Sequence, residues 1–182
     1  PAEAWTAMRA MVDELGFAED PASLDDLEPA REWADLRRAR RLLGRSDPTR
    51  GERLLASLAT YSSDTTIRRE ATLSLGGHYV RHGRYERGAE VLGEVLAAFE
   101  RPSDRWRVRF WIASALMGTR ETVASAEAFR EAAAEAPERS RARAIALRLS
   151  GWQYRRAELD SEAQEVWRAA LSAAGGFPSL QD

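Results

Sequence analysis

The chain contains no cysteine. That removes disulfides, zinc knuckles, dithiol redox motifs and thiol catalysis together, and it leaves the sequence silent about redox compartment. Lysine and asparagine are also missing, and isoleucine occurs only at Ile67, Ile112 and Ile145. All 27 basic residues are therefore arginine, so the surface cations are planar, forked guanidinium groups and not ammonium points. This bias reads as the codon usage of a GC-rich, bacterial genome. No apolar run approaches the roughly 18 residues that a membrane-spanning helix needs. The formal net charge of -2 gives bulk electrostatics no case for nucleic-acid binding.

Catalytic patterns are missing too. There is no Gly-x-Ser-x-Gly elbow and no dinucleotide fingerprint, and Gly44-Arg45-Ser46-Asp47 lacks the second glycine and the lysine of a phosphate loop. His78 and His82 are four apart, the spacing of two metal ligands on one helix. No acid lies between them, no third ligand is evident, and Arg81 and Arg84 make the neighbourhood unattractive to a cation. The pair Asp25-Asp26 falls in a linker where nothing desolvates it. The expectation is a non-enzymatic binding protein with no metal and no cofactor.

What is present is a core-forming composition, 44% hydrophobic and 31% charged, and a repeat. Ala39, Gly76, Ala113 and Gly151 are spaced by 37, 37 and 38 residues. Four more columns keep their size class in the same register: Leu42, Tyr79, Leu116, Tyr154; Gly51, Gly88, Ser125, Ala163; Leu55, Leu92, Phe129, Trp167; and Leu58, Val95, Ala132, Ala170. Within a copy the columns lie three or four residues apart, the spacing of one helical face. Each copy thus reads as two helices, with Gly44, Gly83 and Gly118 as the turn glycines. Asp47-Pro48 reads as an N-cap followed by a first-turn proline, and Asp64, Ser103 and Asp160 are further cap candidates. The small columns let two helix backbones approach, and the large columns fill the remaining gap.

These columns resemble tetratricopeptide repeats. Copy two carries Leu75-Gly76, Tyr79, Gly83, Tyr85 and Gly88 in the family's order. Copy three matches at Ala113, Phe129, Ala132 and Pro137, and copy four at Gly151, Tyr154, Ala163, Trp167 and Ala170. Copy one fits at Ala39, Leu42 and Gly51, with Arg38 where an apolar residue is usual. The family repeat is about 34 residues, so these copies run three or four longer. The resemblance implies an all-α, right-handed superhelical solenoid of four hairpins, about 31–63, 64–102, 103–138 and 139–174.

Ahead of the array, Trp5, Met8, Val12 and Leu15 mark an amphipathic capping helix over 1–17. An acidic linker spans 18–30 and a tail spans 175–182. Pro1 in place of methionine leads to the expectation of a processed or trimmed terminus, so the compartment stays open, with the cytoplasm favoured over the periplasm. Charge is sharply divided: residues 1–35 carry net -8 and residues 36–182 net +6. One reading is a solvated linker; the other is an acidic arm that folds onto the arginine-rich array and competes with an acidic ligand. The last helix, about 160–174, is apolar at Val166, Trp167, Ala170 and Leu171. The tail covers it in the first reading, a second copy of the chain, forming a homodimer, in the second, and further chain of a longer protein in the third.

The resemblance places the first helix of each pair on the inner wall of the superhelix. Candidate ligand-binding residues there are Trp33, Arg40, Leu73, Arg81, Phe110, Met117, Arg148, Trp152 and Arg155, with Leu36, Leu43, Gly77, Val80, Ser114 and Arg156 on the same face. Packing between neighbouring repeats competes as a role for Leu36, Leu73 and Phe110, whereas Trp152 stands among arginines. Aromatic and arginine side chains make binding hot spots, and arginine grips carboxylates through paired hydrogen bonds. The expected occupant is a protein or peptide segment with apolar anchors and at least one acidic group. Repeats that clamp a C-terminal carboxylate use lysine and asparagine, which argues against a chaperone tail. A scaffold in a bacterial complex is the leading function, and a sensor or regulatory domain of a signalling or transcription-regulator protein is the alternative. A nucleic-acid binder would show a steep loss of affinity with salt, and the acidic arm argues against it.

Overall fold

The computed structural model describes residues 27–45 and 47–173. The capping helix over 1–17, most of the linker and the tail over 175–182 lie outside the described residues. Among the described residues the fold is all-α, with eight helices and no strand: α1 Leu27–Arg45, α2 Pro48–Tyr61, α3 Thr65–Arg81, α4 Tyr85–Leu96, α5 Pro102–Gly118, α6 Thr122–Glu135, α7 Arg141–Arg156 and α8 Asp160–Ala173. None of them is long and apolar enough to cross a membrane. α1 starts inside the stretch read as linker, because Pro29 sits in its first turn, where no backbone N–H is required.

The chain divides into two compact units, residues 1–68 and 69–182. In the first, α1 packs on α2. Ser62 caps α2 by donating its N–H to the Leu58 carbonyl, while its hydroxyl donates 2.5 Å to the Glu32 carboxylate on α1. In the second, each helix from α4 to α8 packs on its successor.

The size-class columns are the seam of each hairpin. A Cβ built on Gly76 would lie 2.5 Å from Leu92 Cγ, and one built on Gly151 would enter the Trp167 indole. The second small column meets the backbone of the first: a Cβ at Gly51 would sit 3.0 Å from the Ala39 carbonyl oxygen, and one at Gly88 would sit 3.2 Å from that of Gly76. In copy three the Ser125 hydroxyl turns this approach into a bond, donating to the Ala113 carbonyl at 2.9 Å. A serine is tolerated there because its buried hydroxyl is satisfied.

The turns correct the glycine assignment. Gly83 does adopt the left-handed conformation, with φ of 76°. Gly118 is the last residue of α5 and Gly44 the next to last of α1, so both end their helices without entering the turn. In the hairpin turns of copies three and four the left-handed residues are Arg120 and Glu158, with φ of 68° and 62°, and Arg139, with φ of 52°, lies between α6 and α7. All three turns close with the same bond: the N–H of Arg84, Glu121 and Leu159 donates to the carbonyl of Tyr79, Leu116 and Tyr154, respectively. Gly118 has another role, since a side chain there would collide with the Tyr85 ring. A left-handed L-residue carries a strain of about 1–2 kcal/mol that glycine escapes. Glu158→Gly is therefore expected to raise unfolding free energy by about 1 kcal/mol in urea titration, and an unchanged midpoint would refute the strained turn.

Asp47 caps α2, accepting from the Arg50 N–H at 3.0 Å, and Asp64 caps α3, accepting from the Thr66 N–H at 2.6 Å. Ser103 does not cap α5: it lies within the helix, which starts at Pro102 after Arg101. Asp160 is likewise already helical, with the Leu159 carbonyl accepting the first turn's bond from Ala163. The cap that the sequence reading missed is Ser140, which accepts from the Arg143 N–H at 3.1 Å and starts α7. On α8, Val166 and Ala170 are buried and Trp167 packs on Gly151, so Leu171 is the one of its four large or apolar seam residues left exposed.

Candidate functional site

Of the nine candidate residues, Trp33 and Arg40 belong to the first unit, on α1, half-buried and exposed respectively. The other seven lie on α3, α5 and α7 of the second unit. One of these is a core residue and another is half-buried against the core. Leu73 is 3% exposed among Val80, Leu92, Val95 and Val108. Phe110 packs edge-to-face on Phe129, centroids 5.3 Å apart, against the cluster that contains Ala146 and Leu147. Leu36, Leu43, Gly77 and Val80 are buried as well. These positions lie one helical turn from a seam column, and neighbouring helices cover them before any ligand does. Leu73, Leu36, Leu43, Gly77 and Val80 thus offer a ligand little surface, whereas Phe110 is half-buried.

The remaining residues of the second unit fall into two features. The first joins α3 to α5. Gly77 is bare so that the Trp111 indole lies over it, with a Cβ there only 3.0 Å from the ring. The Arg81 guanidinium stands 5.3 Å from the same ring's centroid. Nearer the start of these helices, Arg107 donates to both carboxylate oxygens of Glu70, at 2.9 and 3.4 Å. Met117, half-buried, ends the row on α5. Trp111, Glu70 and Arg107 were missed by sequence reasoning. One signal was available: Glu70 and Arg107 are 37 residues apart, one repeat, with opposite charges in one column.

The second feature is on α7. Arg148, Trp152, Arg155 and Arg156 recur at helical spacing, so they share one face. All four are exposed, and Trp152 keeps 55% of its surface in solvent. Among the described residues none of these three guanidinium groups is paired with a carboxylate, in contrast to Arg105, Arg107 and Arg109. On the opposite side of α7 the helix is anchored: the Ser150 hydroxyl donates to the Ala126 carbonyl at 2.7 Å, and Tyr154 is buried. Burial pushes the Tyr154 phenol above its ordinary pKa, with Arg130 opposing, so it stays neutral at physiological pH. A rigid, anchored helix thus presents an indole between unpaired cations.

His78 and His82 stack with centroids 4.1 Å apart, His78 buried and His82 exposed. Among the described residues no group of three metal-ligating side chains occurs. Compared with protein-family models, curated proteins and solved structures, the chain matches none.

Proposed function

We propose that the hairpins are divergent tetratricopeptide-like repeats. In this reading those of α3 to α8 stack in a right-handed superhelical sense, with an inner face on α3, α5 and α7 that takes up a segment of a protein partner. The protein is a non-enzymatic interaction module, a scaffold within a bacterial assembly. The observation that carries this reading is Trp152, more than half exposed between Arg148, Arg155 and Arg156, with no carboxylate among the described residues paired with them. An exposed indole on a helix fixed from behind loses little conformational entropy on binding, and fully desolvated tryptophan and arginine dominate interface energies. Three unpaired guanidinium groups select a segment that brings carboxylates to them. Arg81 over Trp111 extends the same chemistry to α3 and α5.

The test is selection of short random peptides on the whole chain, followed by anisotropy titration. Acidic peptides with one aromatic or aliphatic anchor are expected. Trp152→Ala with Arg155→Ala is expected to weaken them by at least about tenfold, or 1.4 kcal/mol, with unchanged helical circular dichroism. Equal affinity for the variant, or selected peptides without acidic residues, refutes the reading.

A further inference from the structure

The first unit contains a feature independent of that face. An open cleft of about 310 Å³ lies between α1 and α2, lined by Asp35, Arg38, Arg50, Arg53, Leu54 and Ser57. Three guanidinium groups and one carboxylate share it. Some arginines of other helices are answered by acids, Arg87 by Glu90, Arg101 by Asp104, Arg105 by Glu135 and Arg107 by Glu70. In the cleft, among the described residues, no carboxylate pairs with the side chain of Arg38, Arg50 or Arg53; the bond that Arg50 makes to Asp47 comes from its main-chain N–H. Like charges crowded on one cleft repel each other, and Asp35 balances only one of them.

We propose that this cleft binds a phosphoryl group, carried by a small phosphate monoester or by free phosphate. The chemistry follows from the lining. Guanidinium forks match the tetrahedral oxyanion, each able to give two parallel N–H bonds. Ser57 supplies a hydroxyl donor, and Asp35 accepts from a hydroxyl or ammonium group of the ligand's carrier, as the ammonium of O-phosphoserine provides. Leu54 gives the carrier an apolar wall. The volume is near the lower end for small-ligand sites, roughly 300 Å³, so it suits a compact monoester and not a dinucleotide.

The test uses the whole chain with inorganic phosphate, O-phosphoserine and serine as probes, read by calorimetry and ³¹P line broadening at constant ionic strength. Saturable binding of O-phosphoserine is expected, with none for serine. Arg38→Gln with Arg53→Gln is expected to weaken it by at least about tenfold. A second variant, Ser57→Asp, puts a negative charge in the cleft and is expected to do the same, which keeps the proposal testable if the first pair disturbs folding. Phosphate binding as tight as O-phosphoserine assigns the cleft to the free ion; weaker phosphate binding assigns it to the monoester. Trp152→Ala with Arg155→Ala is expected to leave this binding intact, so failure of the groove and failure of the cleft are read separately. Absence of saturation, or equal binding by the wild type and both variants, overturns the proposal.

Discussion

Replacing Gly151 with leucine is expected to lower the unfolding free energy by about 3 kcal/mol, the upper range for overpacking a close-packed seam. A side chain at this position projects into the Trp167 indole, whose Nε1 donates to the Arg148 carbonyl at 3.4 Å and so holds the ring across α7. The ring cannot swing away without losing that bond and exposing the seam. The stronger form of the prediction is a rescue. Copy one carries Ala39 and Leu55 in the two columns that hold Gly151 and Trp167 in copy four, and both are fully buried. Gly151→Ala alone is expected to destabilise, and Trp167→Leu alone to leave a void. Together they recreate the pair of copy one and are expected to recover at least about 1 kcal/mol relative to additivity, as contacting residues do. Additive losses in urea denaturation would mean that the columns are not interchangeable parts of one repeated seam.

That seam was legible in the sequence because both partners of each contact are conspicuous. A glycine or alanine inside a helix needs a reason, and a large residue at a fixed distance supplies it. The inner face was much less legible. Leu73 and Trp152 occupy nearby positions of corresponding helices, yet one is 3% exposed and the other 55%. Residue type alone does not separate packing against a neighbouring helix from facing solvent. The neighbours one turn away separate them only in part: Trp152 is flanked by Arg148, Arg155 and Arg156, and Leu73 by Arg69 and Glu70 before it and by Gly76 and Gly77 after it. The turns were misread for a different reason. Glycine was read as the turn residue, yet in copies three and four Arg120 and Glu158 take the left-handed conformation in turns closed by the bonds to Leu116 and Tyr154. A repeat imposes backbone geometry on whatever residue falls there, so register was the better guide than glycine itself. The arginine cleft of α1 and α2 was hidden because its members come from two helices at spacings that form no motif.

The second large effect is expected at Glu135. Its carboxylate is 16% exposed and faces two guanidinium groups of α5, with Arg105 Nη2 and Arg109 Nε both 3.1 Å away. Arg109 also pairs with Glu131 one turn earlier on α6. The Arg109 Nε and Glu135 Oε2 atoms are buried, and neither makes an aligned hydrogen bond, so their attraction is chiefly that of charge. Breaking a buried ion pair from one side costs about 3–5 kcal/mol, because the stranded partner stays buried and uncompensated. Both arginines remain about one-third exposed, and solvent screening reduces that figure. Glu135→Ala is therefore expected to cost about 2 kcal/mol in urea titration, with little change between low and moderate salt. Arg105→Met with Glu135→Met is expected to cost less than Glu135→Ala alone, since it removes the Arg105 charge that Glu135→Ala strands, while Arg109 keeps Glu131 in both. If the double variant is the less stable of the two, the cluster contributes net stability and the stranded-charge account fails. A strong salt dependence would place the pair in solvent and contradict the burial of its facing atoms.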